Sequence, residues 1–92
     1  MNESGISLKI YPSPASDFIN IEITEVDPGR LILELFDDSG IKIINQELVN
    51  QSFLQVSISD IPNGIYVLKI ILPDNDQPLK VEKIVKIKNN SL

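Results

Sequence analysis

A chain with neither histidine nor cysteine has few routes to covalent chemistry, and this sequence of 92 residues contains neither. Its serines lack the imidazole that ordinarily takes a hydroxyl proton, and it offers no thiolate nucleophile. Acid–base work by two carboxylates is the remaining route. Asp37 and Asp38 form an adjacent pair, but they stand in Asp37-Asp38-Ser39-Gly40, a hairpin-loop sequence where acidic residues are common. Asp74-Asn75-Asp76 begins like a calcium loop, yet Leu79 stands where the loop needs glycine and Val85 where it needs glutamate. The residues therefore point away from an enzyme, and no metal or cofactor is expected.

The charges are unevenly placed. Lys80, Lys83, Lys86 and Lys88 against Glu82 give the last thirteen residues +3, leaving −8 for the rest of a chain whose total is −5. An acidic body disfavours nucleic acid, which needs a broad basic face. No apolar run approaches the length of a membrane span. The first five residues lack the basic start and apolar stretch of a signal peptide, so an exported form would carry its export signal elsewhere in a longer chain. Lysines along a terminal strand also have a plain use, since they protect a sheet edge from pairing with another sheet.

Ninety-two residues make one domain, large enough for a single core and too small for a deep active-site cavity. Its longest apolar run, Ile65 to Leu72, lies between the turn signals Pro62-Asn63-Gly64 and Pro73-Asp74-Asn75-Asp76. Both faces of that run are mostly apolar, which places it centrally in a packed sheet. Gly64 is expected to supply the left-handed backbone of the preceding turn. Six further alternating runs surround it: residues 8–11, 18–23, 31–36, 41–48, 53–59 and 81–88. Leu31, Leu33 and Leu35 alternate against Ile32, Glu34 and Phe36, and Leu54, Val56 and Ile58 against Gln55, Ser57 and Ser59. Turn chemistry separates the runs at roughly ten-residue spacing, and no window holds a helical period. The expectation is an all-β, immunoglobulin-like antiparallel sandwich of about seven strands in two sheets. It spans residues 8–92 behind a small, polar linker, residues 1–7. The five aromatics, Tyr11, Phe18, Phe36, Phe53 and Tyr66, are scattered over different strands and are expected to fill the core rather than form a glycan platform.

Four motifs in order then resemble one family. Ile10-Tyr11-Pro12-Ser13-Pro14-Ala15-Ser16-Asp17 is similar to the Y-P-N-P-A-x-D opening of the C-terminal sorting domain of the type IX (Por) secretion system, type A. Leu33-Glu34-Leu35-Phe36-Asp37-Asp38-Ser39-Gly40 resembles its second motif, a strand ending in aromatic-Asp-x-x-Gly. Ile61-Pro62-Asn63-Gly64-Ile65-Tyr66 resembles L-P-x-G-x-Y, and Lys83-Ile84-Val85-Lys86 the terminal Lys-hydrophobic motif. Ser13 stands where the family usually has Asn, and six residues follow Lys86, more than is usual.

The resemblance implies a seven-stranded immunoglobulin-like fold and a role as a sorting signal. Such a domain ends a longer chain, follows its cargo, and directs it from the periplasm across the outer membrane to the cell surface or medium of a Gram-negative bacterium. Its partners are the outer-membrane secretion machinery and a surface sortase that removes it. Pro12, Pro14, Gly40 and Gly64 are explained by backbone geometry; Asp37 and Tyr66 are structural or contacted. Lys83, Lys86 and Lys88 are the recognition candidates. Alternation groups Lys83 with Val81, Val85 and Ile87 on the core side, and Lys86 with Ile84 and Lys88 on the exposed side. The competing reading is an immunoglobulin-like spacer or an adhesion or glycan-binding module.

Overall fold

The computed structural model describes residues 7–12, 14–24, 29–73 and 78–88. Seven strands follow in order: β1 (Ser7–Tyr11), β2 (Phe18–Thr24), β3 (Arg30–Phe36), β4 (Lys42–Val49), β5 (Phe53–Ser57), β6 (Gly64–Ile71) and β7 (Pro78–Lys86). They form a three-stranded sheet, β1-β2-β5, and a four-stranded sheet, β4-β3-β6-β7, with every neighbour antiparallel. Consecutive strands stay within a sheet at β1–β2, β3–β4 and β6–β7; the chain changes sheet between β2 and β3, β4 and β5, and β5 and β6. This is an immunoglobulin-like sandwich, and among the described residues there is no helix. Ser7 opens β1; the remainder of the expected linker and the Asp74-Asn75-Asp76 turn lie outside the described residues.

The core is built from the inward rows that alternation marks. Ile19, Ile21 and Ile23 of β2 face Leu31, Leu33 and Leu35 of β3 and Leu68 and Ile70 of β6, all buried, with Val56 and Ile58 completing the layer. β6 sits between β3 and β7, as its two apolar faces require. β4 is different. It lies at the sheet edge, its register with β3 shifts between Leu35 and Phe36, and Ile41, Ile43 and Val49 remain exposed.

Two expectations are corrected. The aromatics do not fill the core: Tyr66 alone joins it, whereas Phe18 and Phe53 are exposed at 42% and 48% and Tyr11 and Phe36 are half-buried. Ile, Leu and Val already occupy the inward positions, so a ring next in sequence to an inward residue points out. Gly64 takes a positive φ, 158°, which L side chains rarely adopt, but it does so as the first residue of β6 rather than as a left-handed turn residue. Gly40 does take the left-handed conformation, φ 87°, and its N–H donates to the Asp37 carbonyl at 3.0 Å to close the β3–β4 hairpin.

Packing this close makes the core sensitive to lost volume. Leu33→Ala is expected to cost about 2–5 kcal/mol in urea unfolding. Ile41→Ser, at an exposed hairpin position, should change stability by less than about 0.5 kcal/mol.

Candidate functional site

The connection from β5 to β6, residues 58–63, crosses one end of the sandwich, and its carbonyls turn inward there. Lys86, near the end of β7, meets them. Its side chain is 2% exposed, and its ammonium donates to the carbonyls of Ile58 at 2.7 Å, Ile61 at 2.6 Å and Ser59 at 3.4 Å. Three donors meet three acceptors that the strand ladders do not use. The aliphatic stem lies in the apolar interior while the charge reaches backbone dipoles at the rim.

A second segment closes on the same strand. Ala15, buried in the corner that follows Pro12 and Pro14, pairs in parallel with Lys86. The Ala15 N–H donates to the Val85 carbonyl and the Ile87 N–H to the Ala15 carbonyl, each at 2.9 Å. Both prolines are exposed and lack amide donors, which leaves Ala15 as the corner's link to β7. The corner also reaches the β5–β6 connection, where the Ile58 N–H donates to the Asp17 carbonyl at 2.9 Å. Asn63 brackets the backbone beyond β7: its Nδ2 donates to the Lys88 carbonyl at 3.2 Å, and its Oδ1 accepts the Lys88 N–H at 3.0 Å. The Lys88 ammonium pairs with Asp17 at 3.0 Å.

Tyr66 braces the connection from the other side. Its hydroxyl donates to the Pro62 carbonyl at 2.6 Å, the tyrosine-corner arrangement of immunoglobulin-like sandwiches. Burial, and then the charges of Asp37 and Asp38, raise its pKa above the ordinary 10.0. Asp37 folds its own turn: one carboxylate oxygen accepts the N–H groups of Ser39 and Ile41, each at 2.9 Å. A cleft of about 280 Å³ opens between the two connections, lined by Asp37, Asp38, Ile43, Ile61, Asn63 and Tyr66 among others.

Asp37, Gly64 and Tyr66 thus line one cleft, with Lys86 and Lys88 behind Pro62 and the Pro12–Pro14 corner beside them. Gly40 lies in the neighbouring turn. Lys83 is not drawn into the end; it is exposed on the outer face of β7 opposite Val67. The expected parity of β7 is reversed. Lys86 and Ile84 face the core, whereas Val81 and Ile87 are each 54% exposed and Val85 is half-buried opposite Ile65. Charge pattern alone reads a lysine as outward, but inward carbonyls at a sheet end give an ammonium better partners than an apolar side chain could offer. Ala15, Asp17 and Asn63 carry contacts that residue types alone do not reveal. The signal for Asn63 is its place between Pro62 and Gly64, where an amide can bond to backbone.

Residues 9–88 match the family model described as "Secretion system C-terminal sorting domain". The chain belongs to this family. It is a type IX secretion sorting domain, and its four motifs meet at the end just described. No curated protein matches the chain. Among solved structures it is similar to the crystal structure of dimeric latent PorU from Porphyromonas gingivalis, with TM-score 0.67 and 15% identity over 91% of this chain. The match spans only 9% of that protein, and at this identity it shows the shared fold.

Lys86→Met keeps the stem but strips the carbonyls of their donor; thermal and urea unfolding should show a loss of about 2–4 kcal/mol. Tyr66→Phe should cost about 1 kcal/mol at neutral pH. Because folding raises the Tyr66 pKa, its contribution is complete below the unfolded value near 10 and is lost as pH climbs through the raised value. Melting temperatures measured from pH 8 to about pH 11 should therefore fall more steeply for the parent than for Tyr66→Phe.

Proposed function

We propose that this domain is the sorting signal of a longer exported protein and that the secretion machinery reads it as a folded surface, at the end where its four motifs meet. The observation that carries this reading is the convergence of residues far apart in sequence: Tyr66 and Lys86 bond the β5–β6 connection, Ala15 bonds the backbone on either side of Lys86, and Asp37 lines the cleft beside that connection. A linear tail signal would need no such bracing. The cargo precedes the domain, passes through the periplasm, and is carried over the outer membrane to the cell surface or medium. There a sortase cleaves ahead of the sandwich, within or next to residues 1–7. The domain is of type A.

Lys86 serves this role by holding the surface together. The groups offered to a partner are those left accessible around the end and along β7: Asp38, Asn63, Lys88 and Lys83. Partly exposed charges contribute little to stability but steer association and set its sign dependence.

The test fuses the 92-residue chain behind a periplasmic reporter in a type IX-competent cell. Lys83→Glu with Lys88→Glu should lower surface delivery several-fold while the melting temperature moves only a few degrees. Mass spectrometry of the released reporter should place its new C-terminus within or just before residues 1–7. Delivery equal to the parent's would overturn recognition through these lysines, and a terminus inside the sandwich would overturn upstream cleavage.

A further inference from the structure

The outer face of the three-stranded sheet carries an arrangement of rings and amides across β1, β2 and β5. Outward positions of β1, β2 and β5 bring Tyr11, Asn20 and Gln55 into one row across three strands, Tyr11 opposite Asn20 and Asn20 opposite Gln55. Phe18 and Phe53 flank that row. Each precedes an amide by two residues on antiparallel strands, so the two rings stand on opposite sides, each about 7 Å from it along the strand. At 42% and 48% exposure both rings are open to solvent.

The polar groups between the rings are held in place and keep spare bonding capacity. Gln55 Nε2 donates to Asn20 Oδ1 at 3.0 Å, and the Tyr11 hydroxyl donates to Glu22 Oε2 at 2.5 Å. This leaves the Asn20 amide N–H groups, the Gln55 oxygen and Glu22 Oε1 for another molecule. Lys9 stands opposite Glu22, so the charges of this face cancel on a chain whose total is −5.

We propose that this face binds a short, uncharged saccharide. Sugar rings present apolar C–H faces, which suit Phe18 and Phe53, and hydroxyls that both donate and accept, which suit the amide row. Nucleic acid also stacks on exposed rings, but it needs a basic groove and this face is neutral. A protein interface places an apolar core inside a polar rim; here the order is inverted, with amides in the centre and rings outside. The site shares Tyr11 with the first sorting motif, but its rings and amides, Phe18, Phe53, Asn20 and Gln55, lie outside the four motifs, so its test is independent of the export reading.

The ¹⁵N-labelled 92-residue chain is titrated with cellotetraose, maltotetraose, laminaritetraose and chitotetraose, following the side-chain amide resonances of Asn20 and Gln55 by NMR. At least one sugar should shift both amides and saturate in the millimolar range. Phe18→Ala and Phe53→Ala should each weaken binding about tenfold, equivalent to one ring stacking contact, with melting temperatures within a few degrees of the parent. Phe53→Tyr keeps the ring and should retain binding, which separates lost stacking from lost folding. No shift with any of the four sugars, or affinity unchanged in both alanine variants, overturns the proposal. So does self-association that Phe53→Ala abolishes without any saccharide response, which would assign the face to a second copy of the chain.

Discussion

The ammonium of Lys86 is the contact on which the motif-bearing end of this domain depends. A two-sheet sandwich must carry its chain from one sheet to the other, and the β5–β6 crossing turns carbonyls toward the interior, where water is scarce. Lys86 meets three of them with one side chain. The charge faces backbone dipoles, and several strong hydrogen bonds offset its desolvation. Because that lysine belongs to the last strand, the crossing is not satisfied until β7 has paired with β6. The tie couples completion of the terminal strand to the shape of a loop far earlier in the chain.

The Pro12–Pro14 corner adds a second tie to the same strand. β7 is an edge strand of its sheet, yet beside Lys86 its free edge is taken by Ala15. The corner belongs to the connection that leads into β2, so this bridge joins the two sheets along one side. Asn63 then holds the backbone at Lys88, and Lys88 reaches back to Asp17. Much of what reads as family signature is therefore folding instruction. Asp37 closes a hairpin, Tyr66 braces a crossing, and Lys86 saturates it. Together these residues hold the surface around the β5–β6 crossing in place.

The outer faces of the two sheets are chemically distinct. On the four-stranded sheet, Phe36 lies under the Lys69 ammonium at 5.0 Å and Glu34 pairs with Lys42, while the exposed apolar side chains there, Val49, Ile65 and Val81, are aliphatic. On the three-stranded sheet, Phe18 and Phe53 stand without such cover beside a row of amides. Among the described residues, the exposed aromatic rings therefore lie on the three-stranded face.

The strands and most of the core were legible from sequence because both follow from a period of two. Leu33, Leu35, Val56, Ile58, Leu68 and Ile70 are all buried, and the hairpin glycine Gly40 was marked by the Asp-rich turn before it. The outward rings were legible by the same rule, since Phe18 alternates with Ile19 and Phe53 with Leu54; residue type argued for the core, and parity prevailed. Lys86 was not legible. Alternation sets residues 81–88 on two faces but does not say which one is inward when both carry lysines and apolar residues. That choice rests on carbonyls nearly thirty residues away and on Ala15, more than seventy residues away. Sequence by itself determined the strands, their turns and the motif order, because those depend on neighbours along the chain. Only the tertiary structure decided that a charged side chain would be buried at the end of the last strand, because only the folded chain brings its acceptors together.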